Sequence, residues 1–78
     1  MTYVTVRVVD SSGRPMEYAR VSVWRGGIDS GFYPEQRTDR DGEAEFEVGV
    51  SSSDKICVYA EGQKLYDDYV KARITVVV

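Results

Sequence analysis

Apolar and polar residues alternate with a period of two along most of this chain, and no stretch carries a helical face of useful length. Val4, Val6 and Val8 share one phase, and Thr5 and Arg7 the other. Ala19, Val21 and Val23 oppose Arg20, Ser22 and Trp24, and Ala44, Phe46 and Val48 oppose Glu43, Glu45 and Glu47. Ile56, Val58 and Ala60 oppose Lys55, Cys57 and Tyr59, and Ile74, Val76 and Val78 oppose Arg73, Thr75 and Val77. One-sided alternation of this kind predicts antiparallel sheets with one wet face. The small, β-branched inward residues suit a thin core between two sheets. Two further strands are expected. Phe32 to Arg37 contains Pro34, which cannot donate to a ladder and so marks an edge or bulged strand. Gln63 to Val70 alternates less cleanly, because Asp67-Asp68 interrupts it. Seven short, evenly spaced strands predict an all-β, seven-stranded antiparallel β-sandwich with Greek-key connections, occupying residues 1–78 as one domain.

Turn residues fall where this reading needs them, at Ser11–Pro15, Gly26–Gly31, Asp39–Gly42, Gly49–Asp54 and Glu61–Gln63. The abrupt ends, with Met1 leading straight into a strand and Val78 closing one, are those expected of a domain cut from a longer protein with Met1 added. With Met1 leading straight into an alternating strand no secretion signal is expected within these residues, and no apolar run approaches the ~20 residues of a membrane span, so no membrane insertion is expected.

Composition narrows the function classes. The net charge is −3, with three lysines and seven arginines scattered along the chain, which argues against a nucleic-acid face. Without a histidine the chain can build neither a serine triad nor a histidine-ligated metal site. The single cysteine, Cys57, can form no internal disulfide. It is expected to alternate outward as a half-covered small residue, with nothing to activate it as a nucleophile.

Four elements occur in order: Val6-x-Val8-x-Asp10-x-x-Gly13-x-Pro15, then Ala19-x-Val21-x-Val23, then Thr38-Asp39-x-Asp41-Gly42-x-x-x-Phe46, then Ile56-x-Val58-x-Ala60-x-Gly62. Together they resemble the carboxypeptidase regulatory-like domain over nearly the whole chain. The resemblance implies a transthyretin-like, or prealbumin-like, sandwich of the broader immunoglobulin-like kind. It also implies a non-catalytic module that accompanies peptidases or repeats in secreted and surface-attached proteins. That family usually places Gly-Tyr after the fifth strand; here Gly62 is followed by Gln63-Lys64-Leu65-Tyr66, which displaces the aromatic. Isopeptide-bonded surface domains are also similar, but they need a lysine in the first strand, where this chain has Arg7.

The candidate sites follow. Asp39 and Asp41 overlap the start of a calcium loop, but a third oxygen ligand and a bidentate glutamate are missing at the required spacing. Turn chemistry explains them more simply: Asp39 accepts amide protons and Gly42 supplies a positive φ. Asp10 and Gly13 read the same way. Glu43, Glu45 and Glu47, with Asp54, Asp67 and Asp68, read first as a solvated face and second as a docking surface for a basic partner. Asp67 and Asp68 make a poor acid–base pair, since neighbours on a strand point to opposite faces. Trp24, Phe32, Tyr33 and Tyr59 are the candidates for partner contact, because Trp24 and Tyr59 fall on the outward phase and the loop from Gly26 to Gln36 is irregular. The expected function is a non-enzymatic structural or accessory module, without cofactor and monomeric on its own, belonging to an extracellular or cell-surface protein. The alternative is a module that binds carbohydrate or another protein through exposed aromatics.

Overall fold

A computed structural model describes residues 2–26, 30–49 and 54–78. Among them the chain is all-β. Its strands are β1 (Thr2–Val9), β2 (Arg20–Arg25), β3 (Gly31–Phe32), β4 (Gln36–Arg37), β5 (Glu43–Val48), β6 (Lys55–Ala60), β7 (Gln63–Tyr69) and β8 (Arg73–Val77). They form two sheets. One has the order β5-β1-β8; in the other, β3, β2, β6 and β7 lie side by side and β4 also pairs with β2.

The period-two pattern places its residues as expected. Val4, Val6, Val8, Ala44, Phe46, Val48, Ile74 and Val76 from the first sheet, and Ala19, Val21, Val23, Ile56, Val58 and Ala60 from the second, make one buried cluster. Met16, Tyr33, Leu65, Tyr66 and Val78 close its margins. Burying a Val or Ile side chain is worth roughly 1.5–3 kcal/mol, so this shared cluster is the main stabilising term.

Three expectations need correction. Eight strands are present among the described residues, not seven, because Pro34 divides the third expected strand into β3 and β4, each two residues long and both paired with β2. The pairing is not wholly antiparallel: β8 runs parallel to β1, with Val6 opposite Ile74 and Val8 opposite Val76. Alternation dictates which face a residue occupies but not which neighbour its strand chooses. Cys57 keeps the outward phase and is nevertheless only 8% exposed, lying between Trp24 on β2 and Asp67 on β7.

Of the five expected turns, residues 27–29 and 50–53 lie outside the described residues. The other three form. Asp10 Oδ1 accepts the amides of Ser12 (2.8 Å) and Arg14 (3.0 Å), and Asp39 Oδ1 those of Asp41 (2.9 Å) and Glu43 (3.0 Å). In each turn the glycine three residues on has positive φ, +84° at Gly13 and +74° at Gly42. The third turn, Glu61-Gly62, has positive φ at both residues, as a tight hairpin requires. Glu61 is held there by Arg20, whose amide donates to Glu61 Oε1 at 2.7 Å. A β-bulge near Val58 and Tyr59 shifts the register of β7 and explains its poor alternation.

Thr38 is the one polar residue buried among the described residues. Its Oγ1 donates to the Met16 carbonyl at 2.6 Å and accepts the Ala19 amide at 2.7 Å. It thus ties the end of the β1–β2 connection to the entry of the Asp39 turn. In the sequence Thr38 stands out only as the first residue of the Thr38-Asp39-x-Asp41-Gly42 element, and its spacing alone does not signal this role.

Candidate functional site

The outward phase of the five-stranded sheet carries the aromatics. In the ladder, Phe32 on β3 lies opposite Trp24 on β2, Trp24 opposite Cys57 on β6, and Cys57 opposite Asp67 on β7. One step along, Ser22 lies opposite Tyr59. Ser22 is small, which leaves room above β2 for Phe32 and Tyr59 to meet with ring centroids 5.6 Å apart and a tilt of 58°. Tilted contacts of this kind suit the aromatic quadrupole. The Trp24 indole leans along its own strand toward Gly26, where a built Cβ would stand 3.1 Å from its Cζ3. Glycine at 26 therefore gives the ring its bed. Trp24 and Tyr59 are half-buried, and Phe32 is 62% exposed.

The structure thus brings Trp24, Phe32 and Tyr59 together and leaves Tyr33 apart. Tyr33 packs against the core, its amide donates to Val23 (2.9 Å), and its hydroxyl accepts the Gly49 amide (3.2 Å). The Arg25 guanidinium sits 5.8 Å from its ring centroid. These contacts are those of a residue that links the sheet edge to the β5 end, so its ring faces the core.

Beside the aromatics lies a small polar group. Burial pushes the Cys57 thiol up from its ordinary value, and the Asp67 carboxylate next to it pushes in the same direction. A thiol shifted this way is protonated at neutral pH and a poor nucleophile. Asp67 is also 3.7 Å from Lys64 Nζ, an exposed pair. Asp67 stands opposite Cys57 and Asp68 opposite Ile56, so the two carboxylates belong to opposite phases. Further along β7, Tyr69 is exposed with Lys55 Nζ 5.3 Å from its ring centroid.

The acidic positions do not form one surface. Glu43, Glu45 and Glu47 line β5 in the three-stranded sheet, while Asp67 and Asp68 lie on β7 in the other. Glu43 Oε2 is 2.6 Å from Arg73 Nη2, and Glu47 Oε2 accepts the Tyr3 hydroxyl at 3.1 Å. Asp39 Oδ1 is engaged by its own turn, Asp41 is exposed, and among the described residues no three His, Cys, Asp or Glu side chains converge as metal ligands do. Turn chemistry accounts for the geometry of the Asp39 loop. The contribution of Asp67 to the Cys57 environment was not evident in the sequence, since ten residues and a register shift separate the two. No protein-family model matches this chain, and no curated protein sequence matches it.

Proposed function

We propose that this chain is a non-catalytic accessory module of a larger secreted or cell-surface protein, and that it meets its partner through Trp24, Phe32 and Tyr59. The observation that carries this reading is Phe32, which rests on Tyr59 yet leaves most of its ring in water. An exposed aromatic braced by a second one is a pre-ordered contact, since little rotamer freedom is lost on binding. The carboxylates of Asp10, Asp39, Glu43, Glu47, Glu61 and Asp67 already have partners within the chain. That distribution favours shape and spacing over acid–base chemistry.

The finer architecture belongs to the same proposal: one domain with a transthyretin-like Greek-key sandwich, as in carboxypeptidase regulatory-like modules. The chain passes from one sheet to the other between β1 and β2, β4 and β5, β5 and β6, and β7 and β8, which supports a Greek key over a simple meander. The motif residues Asp10, Gly13, Thr38, Asp39 and Gly42 all sit in the turns and ties that shape the fold, and this supports the family reading.

Carbohydrate binding is the second reading, favoured by the same Phe32–Tyr59 pair, because aromatic faces stack on sugar rings. Trp24 fluorescence separates the two. A neighbouring domain of the parent protein should change its emission in the accessory reading, and a soluble glycan should do so in the carbohydrate reading. No change with either, at concentrations up to millimolar, would remove this face from consideration.

A further inference from the structure

Each sheet edge is a row of unpaired amides and carbonyls that must be protected or used. Three of the four edges among the described residues carry protection. β5 presents Glu43, Glu45 and Glu47, and its first residue is already bonded on both backbone groups by the Asp39 turn. β7 carries a bulge and the charges of Lys64, Asp67 and Asp68. The β3–β4 edge is broken at Pro34 into two-residue pieces.

The fourth edge, β8, has no bulge, no proline and no run of charges; its one charged residue, Arg73, is engaged by Glu43. Thr5 donates to Ala72 and Val78 donates to Val9, so the even-numbered residues of this strand aim their backbone groups at β1. In a parallel ladder the intervening residues then aim theirs away. Arg73, Thr75 and Val77 therefore offer three amides and three carbonyls outward, and among the described residues β8 pairs with β1 alone. The strand is apolar apart from Arg73 and Thr75, and Val77 is 53% exposed.

We infer that β8 pairs with β8 of a second copy of this chain, in an antiparallel ladder centred on Thr75. A two-fold axis there places Thr75 opposite its own counterpart and Arg73 opposite Val77 of the second copy. All three outward residues are used, no like charges face each other, and Ile74 and Val76 extend the buried face of the sheet across the junction. Self-pairing at β5 fails by the same arithmetic. Its outward residues are all glutamates, so every antiparallel register sets Glu against Glu, which is unfavourable. The interface closes on itself after two copies, as a two-fold contact does. The alternation of β8 gives no sign in the sequence that the strand lies at an edge, and the dimer is proposed against the expectation of a monomer.

The test is sedimentation equilibrium of the 78-residue chain from micromolar to millimolar concentration, with variants on exposed positions that leave the core untouched. The unaltered chain should show a monomer–dimer equilibrium. Thr75→Lys puts two ammonium groups on the axis and should weaken the dimer about fivefold, and Val77→Lys meets Arg73 twice and should weaken it roughly 25-fold. Glu45→Gln, on the other edge, should leave it unchanged. Thr75→Cys should cross-link to its counterpart under mild oxidation, because residues paired this way have Cα atoms about 5.5 Å apart, within disulfide range. A chain that stays monomeric at millimolar concentration overturns the inference. So does a dimer indifferent to Val77→Lys, or growth into open-ended assemblies, which would mean head-to-tail pairing of β8 with β5.

Discussion

On the outer face of the three-stranded sheet, Glu43 reaches Arg73 across β1 and Glu47 holds the Tyr3 hydroxyl. On the outer face of the five-stranded sheet, Phe32 leans on Tyr59, Trp24 lies over Gly26, and Cys57 is covered between Trp24 and Asp67. The first face satisfies its polar groups with its own neighbours and with water, as a solvated sheet does. The second leaves aromatic surface that folding alone does not require. The two faces differ in make-up, and neither supplies most of the stability, which comes from the shared core and from the ties between the sheets.

That separation can be broken most forcefully at a tie. Gly42 and Gly13 occupy the same position in two turns of the same design, yet a Cβ on Gly42 would stand 2.6 Å from the Val8 carbonyl oxygen, while nothing lies within 4 Å of one on Gly13. Gly42→Ala should therefore cost about 3 kcal/mol or more in urea denaturation, from positive φ and the clash together, and Gly13→Ala about 1 kcal/mol from φ alone. Equal losses would show that the two turns are equivalent and the close approach irrelevant. Next in size is Thr38→Val, which strands the Ala19 amide and the Met16 carbonyl in a buried place; about 2 kcal/mol should be lost. A neutral Thr38→Val would mean that this tie is dispensable.

The faces themselves should matter less. Phe32→Ser should lower stability by under about 1 kcal/mol, since the ring is mostly exposed. Arg73→Ala should cost still less, about 0.5 kcal/mol, and the loss should fade in molar salt, because the Glu43 pair is largely solvated. A larger, salt-resistant loss at Arg73 would give the charged face a structural role it is denied here.

The smallest effect is one of pH. The amide of Arg14 holds the Asp10 carboxyl below its ordinary value; desolvation opposes it, and the Ser12 amide and the Arg14 charge add to the lowering. A lowered folded value means that the carboxylate's stabilisation is complete above about pH 4 and disappears as pH falls through the folded value. Asp10→Asn should flatten that part of the stability curve and leave neutral pH nearly unaffected. An unchanged acid limb would assign the loss to other carboxylates.

Much of this was legible in the chain. Strict alternation in β1, β5 and β8 identified the inward residues, and Asp-x-x-Gly identified both turns by the chemistry that closes them. Partner choice was not legible: the parallel union of β1 and β8 joins residues some 68 positions apart, and alternation is silent on it. Cys57 was read from phase alone, although Trp24 and Asp67 decide its burial from neighbouring strands. At the candidate site, phase places Trp24 and Tyr59 on one outer face, while Phe32 and Tyr33, adjacent in sequence, turn opposite ways, Phe32 into solvent and Tyr33 onto the core.

The central claim is that the aromatic face, and not the charged one, meets a partner. Amide and indole chemical shifts of the folded chain, followed while a neighbouring domain or a glycan is added, test it directly. The account predicts that perturbations gather at Trp24, Phe32, Tyr59 and the Cys57 row, and disappear in Phe32→Ser with the fold intact. Perturbations centred on Glu43, Glu45 and Glu47 would contradict it.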